Sequence, residues 1–304
     1  MKNLKHYIKH PNEFIGGVVV KLNRFFTNDE RYLKIIFRCF MKQKLDLEHP
    51  HTFSEKLQWL KLYNRKPEYT TMVDKYAVKE YVAEKVGTQY VIPTLGVWER
   101  VEDIDWECLP HQFVLKTTHA GGGNGVVICR DKTTFNREKA IAKLGQSMKR
   151  NPYCALREWP YKDVKPRIIA EQYIEDKSGN ELKDYKFFCF NGQPKCCQVI
   201  DGRNSVMTID FFDNDWEHLP FHEPRDYPFA DKVISRPDSY DKMWKLAEDL
   251  SQGLPFLRVD LYDVNGRIYF GELTFFPTSG IGGFDPREWD YVFGSWIELP
   301  NVKI

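Results

Sequence analysis

Apolar and polar positions change rhythm near residue 113. Before it the spacing is helical. Ile35, Ile36, Phe37 and Phe40 interleave with basic residues, which predicts a helix. A second helix opens at Thr52-Phe53-Ser54-Glu55, a T-x-x-E box in which each side chain satisfies the other residue's free amide. Leu57, Leu60 and Leu62 carry it to just before Pro67. Asp74 is placed to cap a third helix over 75–85, ended by Gly87. After Pro93, Leu95-Gly96-Val97-Trp98 predicts a short strand.

From Phe113 the runs shorten to strands and turns. Residues 113–116 form an apolar strand that ends in Lys116; Gly121-Gly122-Gly123-Asn124-Gly125 follows, then a strand over 126–129. A helix over 138–149, a stretch rich in proline and aromatics over 151–167 and a strand over 168–170 lead to Glu171. Strands over 186–190 and 193–200 flank the turn Asn191-Gly192. A helix over 239–251 precedes a final hairpin, 256–276, turned at Asn265-Gly266. No internal repeat or low-complexity linker interrupts this order.

Composition narrows the function class. The 304 residues, 42% hydrophobic and 29% charged, describe a folded protein and not a disordered one. A net charge of +1 and the lack of a basic stripe exclude a nucleic-acid partner. Charge is uneven, however: residues 1–45 hold ten Lys or Arg against three acids, so that segment is +7 and the remainder −6. Its basic face is either solvated, with the segment packed on the body, or it meets an anionic membrane surface or a lipid-linked acceptor. Seven cysteines without C-x-x-C spacing argue against zinc and redox sites. With no signal-peptide pattern and no apolar run of membrane-spanning length, the expectation is a soluble, reduced, cytoplasmic protein, with peripheral contact at the inner membrane face as an added option.

Two places carry candidate chemistry. A lysine at a strand end before a glycine run can place positive charge and open backbone amides around phosphate oxygens. The order is not that of a P-loop, whose lysine follows its glycines, and a glycine run also serves as a plain hairpin turn. On the last hairpin, Arg258-Val259-Asp260 and Glu272-Leu273-Thr274 bring two carboxylates close, a set suited to magnesium or to simple solvation. A two-residue Asn265-Gly266 loop pairs Asp260 with Gly271 and turns Glu272 to the opposite face. A three-residue loop with a bulge sets Asp260 across from Glu272, and this register is the one expected.

The order of strand lysine, glycine loop, acidic hinge, R-x-D and E-x-[NT] resembles the ATP-grasp superfamily, and within it the polysaccharide-biosynthesis branch of teichuronopeptide (TupA-like) proteins. The carrying stretches run from His49-Pro50-His51-Thr52-Phe53-Ser54-Glu55-Lys56-Leu57 through Val73-Asp74-Lys75-Tyr76, residues 113–125, Ile169-Ala170-Glu171-Gln172-Tyr173 and residues 184–192 to residues 258–274. The resemblance implies an α+β ATP-grasp fold whose two lobes grip ATP, behind a helical N-terminal region. The expected divisions are 1–50 (basic, helical), 51–110 (preceding region), 111–175 (small lobe) and 176–304 (large lobe).

It also implies roles. Lys116 and Lys75 would touch ATP phosphates, with Gly121, Gly122 and Gly123 closing over the transferred one. Glu171, Gln172 and Ile174 would form the adenine hinge, Asp184 would hold the ribose and Lys186 would sit near the phosphates. Asp260, Glu272 and Thr274 would gather Mg2+, and Arg258, with Lys116, would stabilise the transferring group. Thr274 stands where most such ligases carry asparagine, which weakens the second metal. The implied reaction is carboxylate–amine ligation through an acyl phosphate, joining an amine or amino acid to a sugar or uronic-acid acceptor. A kinase that stops at phosphorylation and a glycosyltransferase remain alternatives; Asp213-Asn214-Asp215 has the D-x-D form the latter needs. Arg157, Trp159, Tyr161, Lys165 and Arg167 are either acceptor contacts or a packed loop, and His119 is either site lining or structural.

Overall fold

The computed structural model of the chain describes residues 11–121, 123, 125–176, 182–202, 206–224 and 226–301. Among the described residues five α-helices come first: α1 (Pro11–Lys21), α2 (Asp29–Met41), α3 (Phe53–Tyr63), α4 (Glu68–Val73) and α5 (Val78–Val86). Then follow β1 (Thr94–Trp98), β2 (Phe113–Thr117), β3 (Val126–Cys129), α6 (Arg137–Met148), α7 (Pro152–Leu156) and β4 (Ile168–Gln172). The last part holds β5 (Asp184–Phe190), β6 (Gln193–Asp201), β7 (Thr208–Phe212), β8 (His218–Leu219), α8 (Tyr240–Ser251), β9 (Phe256–Val264), β10 (Arg267–Thr274) and α9 (Glu288–Trp296).

The capping box at Thr52 forms as expected: Thr52 Oγ1 accepts from the Glu55 amide and Glu55 Oε2 from the Thr52 amide. Asp74 caps a turn and not a helix start. Its Oδ1 accepts from the Tyr76 amide at 2.9 Å, and α5 begins only at Val78. In α2 the apolar side packs inward through Tyr32, Leu33, Ile36 and Phe37, while Arg31, Lys34 and Arg38 face out. α1 differs: only Gly16 is buried, while Phe14, Ile15 and Val18 are exposed, with Leu22 and Phe25 just beyond. Among the described residues no helix is long and apolar enough to cross a membrane.

Two antiparallel sheets organise the rest. The smaller has the order β1-β4-β2-β3. Strand alternation splits β2, so that Phe113 and Leu115 enter a small core with Ile104, Leu144, Ile168 and Ala170 while Val114 and Lys116 face the other way. The larger sheet has the order β10-β9-β5-β6-β7-β8. One of its faces, with Phe187, Val259 and Leu261, is covered by α8 through Tyr240, Met243 and Ala247. β5 and β6 join at Asn191-Gly192 and β9 and β10 at Asn265-Gly266. All four turn residues have positive φ, as a two-residue type I′ turn demands. The pattern did not mark α4, α7, α9, β7 or β8, most of which are short.

Candidate nucleotide and metal site

The uncovered faces of the two sheets bound one cavity of ≈ 1470 Å³. From the smaller sheet it is lined by Val114, Lys116, Val126, Ile128 and Glu171, all on the side opposite that sheet's own core. From the larger sheet, pairing aligns polar residues into a row across four strands. Gln198 on β6 lies opposite Lys186 on β5, Lys186 opposite Asp260 on β9, and Asp260 opposite Glu272 on β10. Arg258 and Thr274 pair directly in the next row. Residues two apart on a strand share a face, so Arg258, Asp260, Glu272 and Thr274 all look into the cavity.

The register that places Glu272 opposite Asp260 is the expected one, but its origin differs. The turn has two residues, with Arg267 opposite Val264, and the extra residue is Gly271, between Phe270 and Glu272. A Cβ on Gly271 would lie 3.0 Å from the Asp260 carbonyl oxygen and 3.0 Å from Tyr262 Cε2. The close approach favours glycine there, and the bulge turns Glu272 back to the side of Asp260.

The row is tightly ion-paired. Arg258 Nε meets Asp260 Oδ1 at 2.6 Å, and its Nη2 donates to Glu272 Oε1 at 3.3 Å and Thr274 Oγ1 at 3.0 Å. Lys186 pairs with Asp260 and lies 3.5 Å from Asp184 Oδ1. Lys75 Nζ reaches Glu272 Oε2 at 3.4 Å and donates to the Ala120 carbonyl at 2.6 Å. Burial alone would raise the Glu272 carboxyl, but Lys75, Lys186 and Arg258 outweigh it and hold its pKa at about 2. Glu272 is thus charged at any physiological pH. Two carboxylates and a hydroxyl on one face are hard oxygen donors that suit Mg2+, which takes its remaining ligands from phosphates and water. Among the described residues no group of three or more His, Cys, Asp or Glu forms a self-sufficient metal cage.

On the smaller sheet, the Glu171 carboxylate sits between Lys116 and Lys79, with both ammonium groups at 2.5 Å. Burial pushes its pKa up, but the two lysines more than reverse the shift and leave it lowered. Lys79 escaped the sequence reading. The available signal was its spacing of four from Lys75, since both side chains reach the cavity region from the same segment. Gly121 and Gly123 line the cavity, and a Cβ at either would meet nothing within 4 Å. Packing therefore does not require glycine there, and Gly123 has φ +74. Gly125 is different, because a Cβ would lie 2.2 Å from Thr117 Oγ1. Gly122 lies outside the described residues. At the hinge, Gln172, Tyr173 and Ile174 border the cavity; the Gln172 amide is held by the Pro93 carbonyl at 3.0 Å. The Ile174 backbone makes no hydrogen bond among the described residues. Asp184 and Tyr262, opposite each other on β5 and β9, line the same wall.

His119 Nε2 lies 3.2 Å from the Ser147 carbonyl, and burial lowers its pKa; it both braces the loop and lines the cavity. Of the five proposed acceptor contacts, only Tyr161 does. Arg157 is buried against Asp29 and the Asn23 and Phe26 carbonyls, Arg167 pairs with Asp74, Lys165 with Glu99, and Trp159 packs on the main core. Asp213 of the D-x-D triplet caps its own turn by accepting from the Asp215 and Glu217 amides, and it is not among the cavity's lining residues.

A cation-rich cleft between two antiparallel sheets, with a carboxylate pair on the last hairpin, is the arrangement of ATP-grasp proteins. Residues 55–298 match the TupA-like ATP-grasp family, and the chain belongs to that family. No protein of curated function matches the sequence. Among solved structures, D-alanine–D-alanine ligase from Bacillus anthracis complexed with ATP is similar at 16% identity and a TM-score of 0.39, over 67% of this chain and 53% of that one. N5-carboxyaminoimidazole synthetase from Staphylococcus aureus complexed with ADP is similar at 15% identity and a TM-score of 0.44, over 88% and 65% respectively. The ATP-grasp ligase PsnB, complexed with a minimal precursor, Mg and ADP, is similar at 14% and 0.36, over 82% and 62%. The chain thus spans less than two thirds of the length of each.

Proposed function

We propose that the chain is an ATP-dependent carboxylate–amine ligase that attaches an amine or amino acid to a sugar or uronic-acid acceptor, a cell-surface polysaccharide precursor, through an acyl phosphate. The observation that carries this reading is the bulge-set face of Arg258, Asp260, Glu272 and Thr274 looking across one cavity at Lys116 and the glycine loop. ATP would lie with its adenine at Gln172 and Ile174, its ribose at Asp184 and its phosphates among Lys75, Lys116, Lys186, Gly121 and Gly123. Mg2+, held by Asp260, Glu272 and Thr274, supplies positive charge beside the phosphate oxygens when bound. Lys116 and Lys186 would orient the phosphates for in-line attack by a substrate carboxylate. Arg258, which its paired carboxylates keep protonated, would stabilise the charge that develops at the acyl centre when an amine displaces phosphate. The polysaccharide acceptor rests on the family resemblance alone. Phosphate release that depends on an added amine separates this reading from a kinase.

The test is a calorimetric titration with ATP, with and without magnesium, on the wild type and on Lys116→Ala and Glu272→Ala. Binding that requires magnesium and weakens at least about tenfold in both variants is expected, since each loses a charge-assisted contact. An absence of ATP binding in every condition overturns the assignment. For the N-terminal region we also propose peripheral contact with an anionic membrane, because Phe14, Ile15, Val18, Leu22 and Phe25 are exposed beside Lys21 and Arg24. Co-sedimentation with anionic vesicles but not zwitterionic ones is expected, and equal sedimentation with both removes this contact.

A further inference from the structure

Glu223, Gln198, Glu158, Tyr161, Thr278 and Ser279 also line the cavity, and none of them has a role in the nucleotide reading. Their hydrogen bonds leave a one-sided chemistry. Among the described residues, the cations nearest to them are committed. Lys61 Nζ, beneath the loop, bonds to Gln58 Oε1, the Leu156 carbonyl and both the carbonyl and hydroxyl of Ser279 at 2.8–3.0 Å. Arg258 is taken by Asp260, Glu272 and Thr274. Gln198, 3% exposed, gives one N–H of its amide to the Glu223 carbonyl at 2.7 Å, and its oxygen Oε1 and second N–H remain. Thr278 Oγ1 donates to Glu223 Oε1 at 2.9 Å. Glu223 Oε2 has no hydrogen-bond partner among the described residues, although the residue is only 2% exposed.

These groups set two carboxyls and several oxygen acceptors against few donors, one Gln198 N–H and the Tyr161 hydroxyl. An anionic ligand would face two carboxyl groups there, whereas a cation would favour their charged form. A positively charged donor is matched best. We propose that this end of the cavity is the subsite for the protonated amine substrate, held by Glu223 Oε2 and Gln198 Oε1, with the Glu158 carboxyl alongside. The inference rests on the ligase reading for its place in the reaction, and it deepens that reading by assigning the amine to these residues.

It also gives the proton a route. The bound R–NH3+ passes one proton to the Glu223 carboxylate, which frees the nitrogen lone pair. A C–N bond then forms at the acyl carbon as the C–O bond to phosphate breaks, and phosphate leaves with that electron pair and the second nitrogen proton. Burial raises Glu223 to about 7, which suits a group that takes a proton from a bound ammonium and returns it.

The test titrates the nucleotide-free protein with butylammonium, butan-1-ol and butanoate, followed by saturation-transfer NMR. Butylammonium should bind and the other two should not. Glu223→Gln should weaken butylammonium about tenfold to a hundredfold, the loss of one charged hydrogen bond. Glu158→Gln, on a separate segment, should weaken it in the same direction. Equal affinity in wild type and Glu223→Gln, or preferential binding of butanoate, overturns the subsite. A Mg–ATP titration of the same samples separates the two readings. ATP binding without butylammonium binding removes the subsite and leaves the ligase, whereas butylammonium binding without ATP binding removes the ligase and leaves an amine site. Unchanged Mg–ATP affinity in Glu223→Gln certifies that the variant is folded.

Discussion

Replacing Glu223 by Gln should stabilise the protein above neutral pH and do nothing in acid. Burial raises the native carboxyl from its ordinary 4.5 to about 7, with Thr278 and Arg258 pulling it down and Asp290 adding to the rise. Between those two values the native state binds more protons than the unfolded chain, so this group's contribution to stability falls as pH rises and is level above the window. The difference between 4.5 and about 7, at roughly 1.36 kcal/mol per pK unit, amounts to about 3 kcal/mol. Gln stays neutral throughout and keeps an oxygen for the Thr278 hydroxyl. Urea unfolding near pH 8 should therefore show the variant more stable by about 3 kcal/mol, with equal m-values, and near pH 4 the two proteins should coincide. Asp290, raised to about 6 by burial, titrates in the same window in both proteins, and only its small mutual repulsion with Glu223 enters the difference. Wild type and variant that lose stability in parallel from acid to alkaline pH would refute the reasoning.

Gly271→Ala places a Cβ 3.0 Å from the Asp260 carbonyl oxygen and should cost about 1–3 kcal/mol in urea unfolding together with magnesium-dependent ATP affinity. Wild-type affinity in that variant would mean that the bulge does not set the metal face. Glu171→Gln leaves Lys79 and Lys116 facing one neutral amide and should destabilise by about 3 kcal/mol or more, with ATP restoring part of the loss. An unchanged melting temperature without nucleotide would remove Glu171 as the counter-charge.

Features encoded within a few residues of one another were legible. The Thr52–Glu55 box, the Asn-Gly turns and the strand that carries Lys116 each depend on local backbone chemistry, and each appears where the residues place it. The carboxylate pairing was legible as a requirement but not as a mechanism. The choice between a longer turn and a bulge at Gly271 depends on contacts with Asp260 and Tyr262 across the ladder. Arg157 misled for a similar reason: it looks like an acceptor contact until Asp29, far earlier in the chain, is found against it. The cluster of Glu158, Gln198, Glu223 and Thr278 had no signature at all. Its members come from a loop, a strand, a turn beyond β8 and the segment after β10, and only sheet order gathers them.

Helix α3 has a consequence for the order in which the molecule assembles. Ser54 donates to Asp290, Lys56 to the Ile297 carbonyl, and Gln58 and Lys61 hold the carbonyls of Ser279 and Gly280, across separations of 218 to 241 residues. The helix can form early through its own cap, yet every one of these partners is made last. On the ribosome the loop of Thr278 and Ser279, both at positive φ, can take its brace from α3 as soon as it emerges, and α9 then docks on the same helix. Closure over so long a stretch is slow. A chain interrupted before α9 could still form both sheets and the α3 contacts to Ser279 and Gly280, while lacking the anchors that Asp290 and Ile297 give to the start of α3.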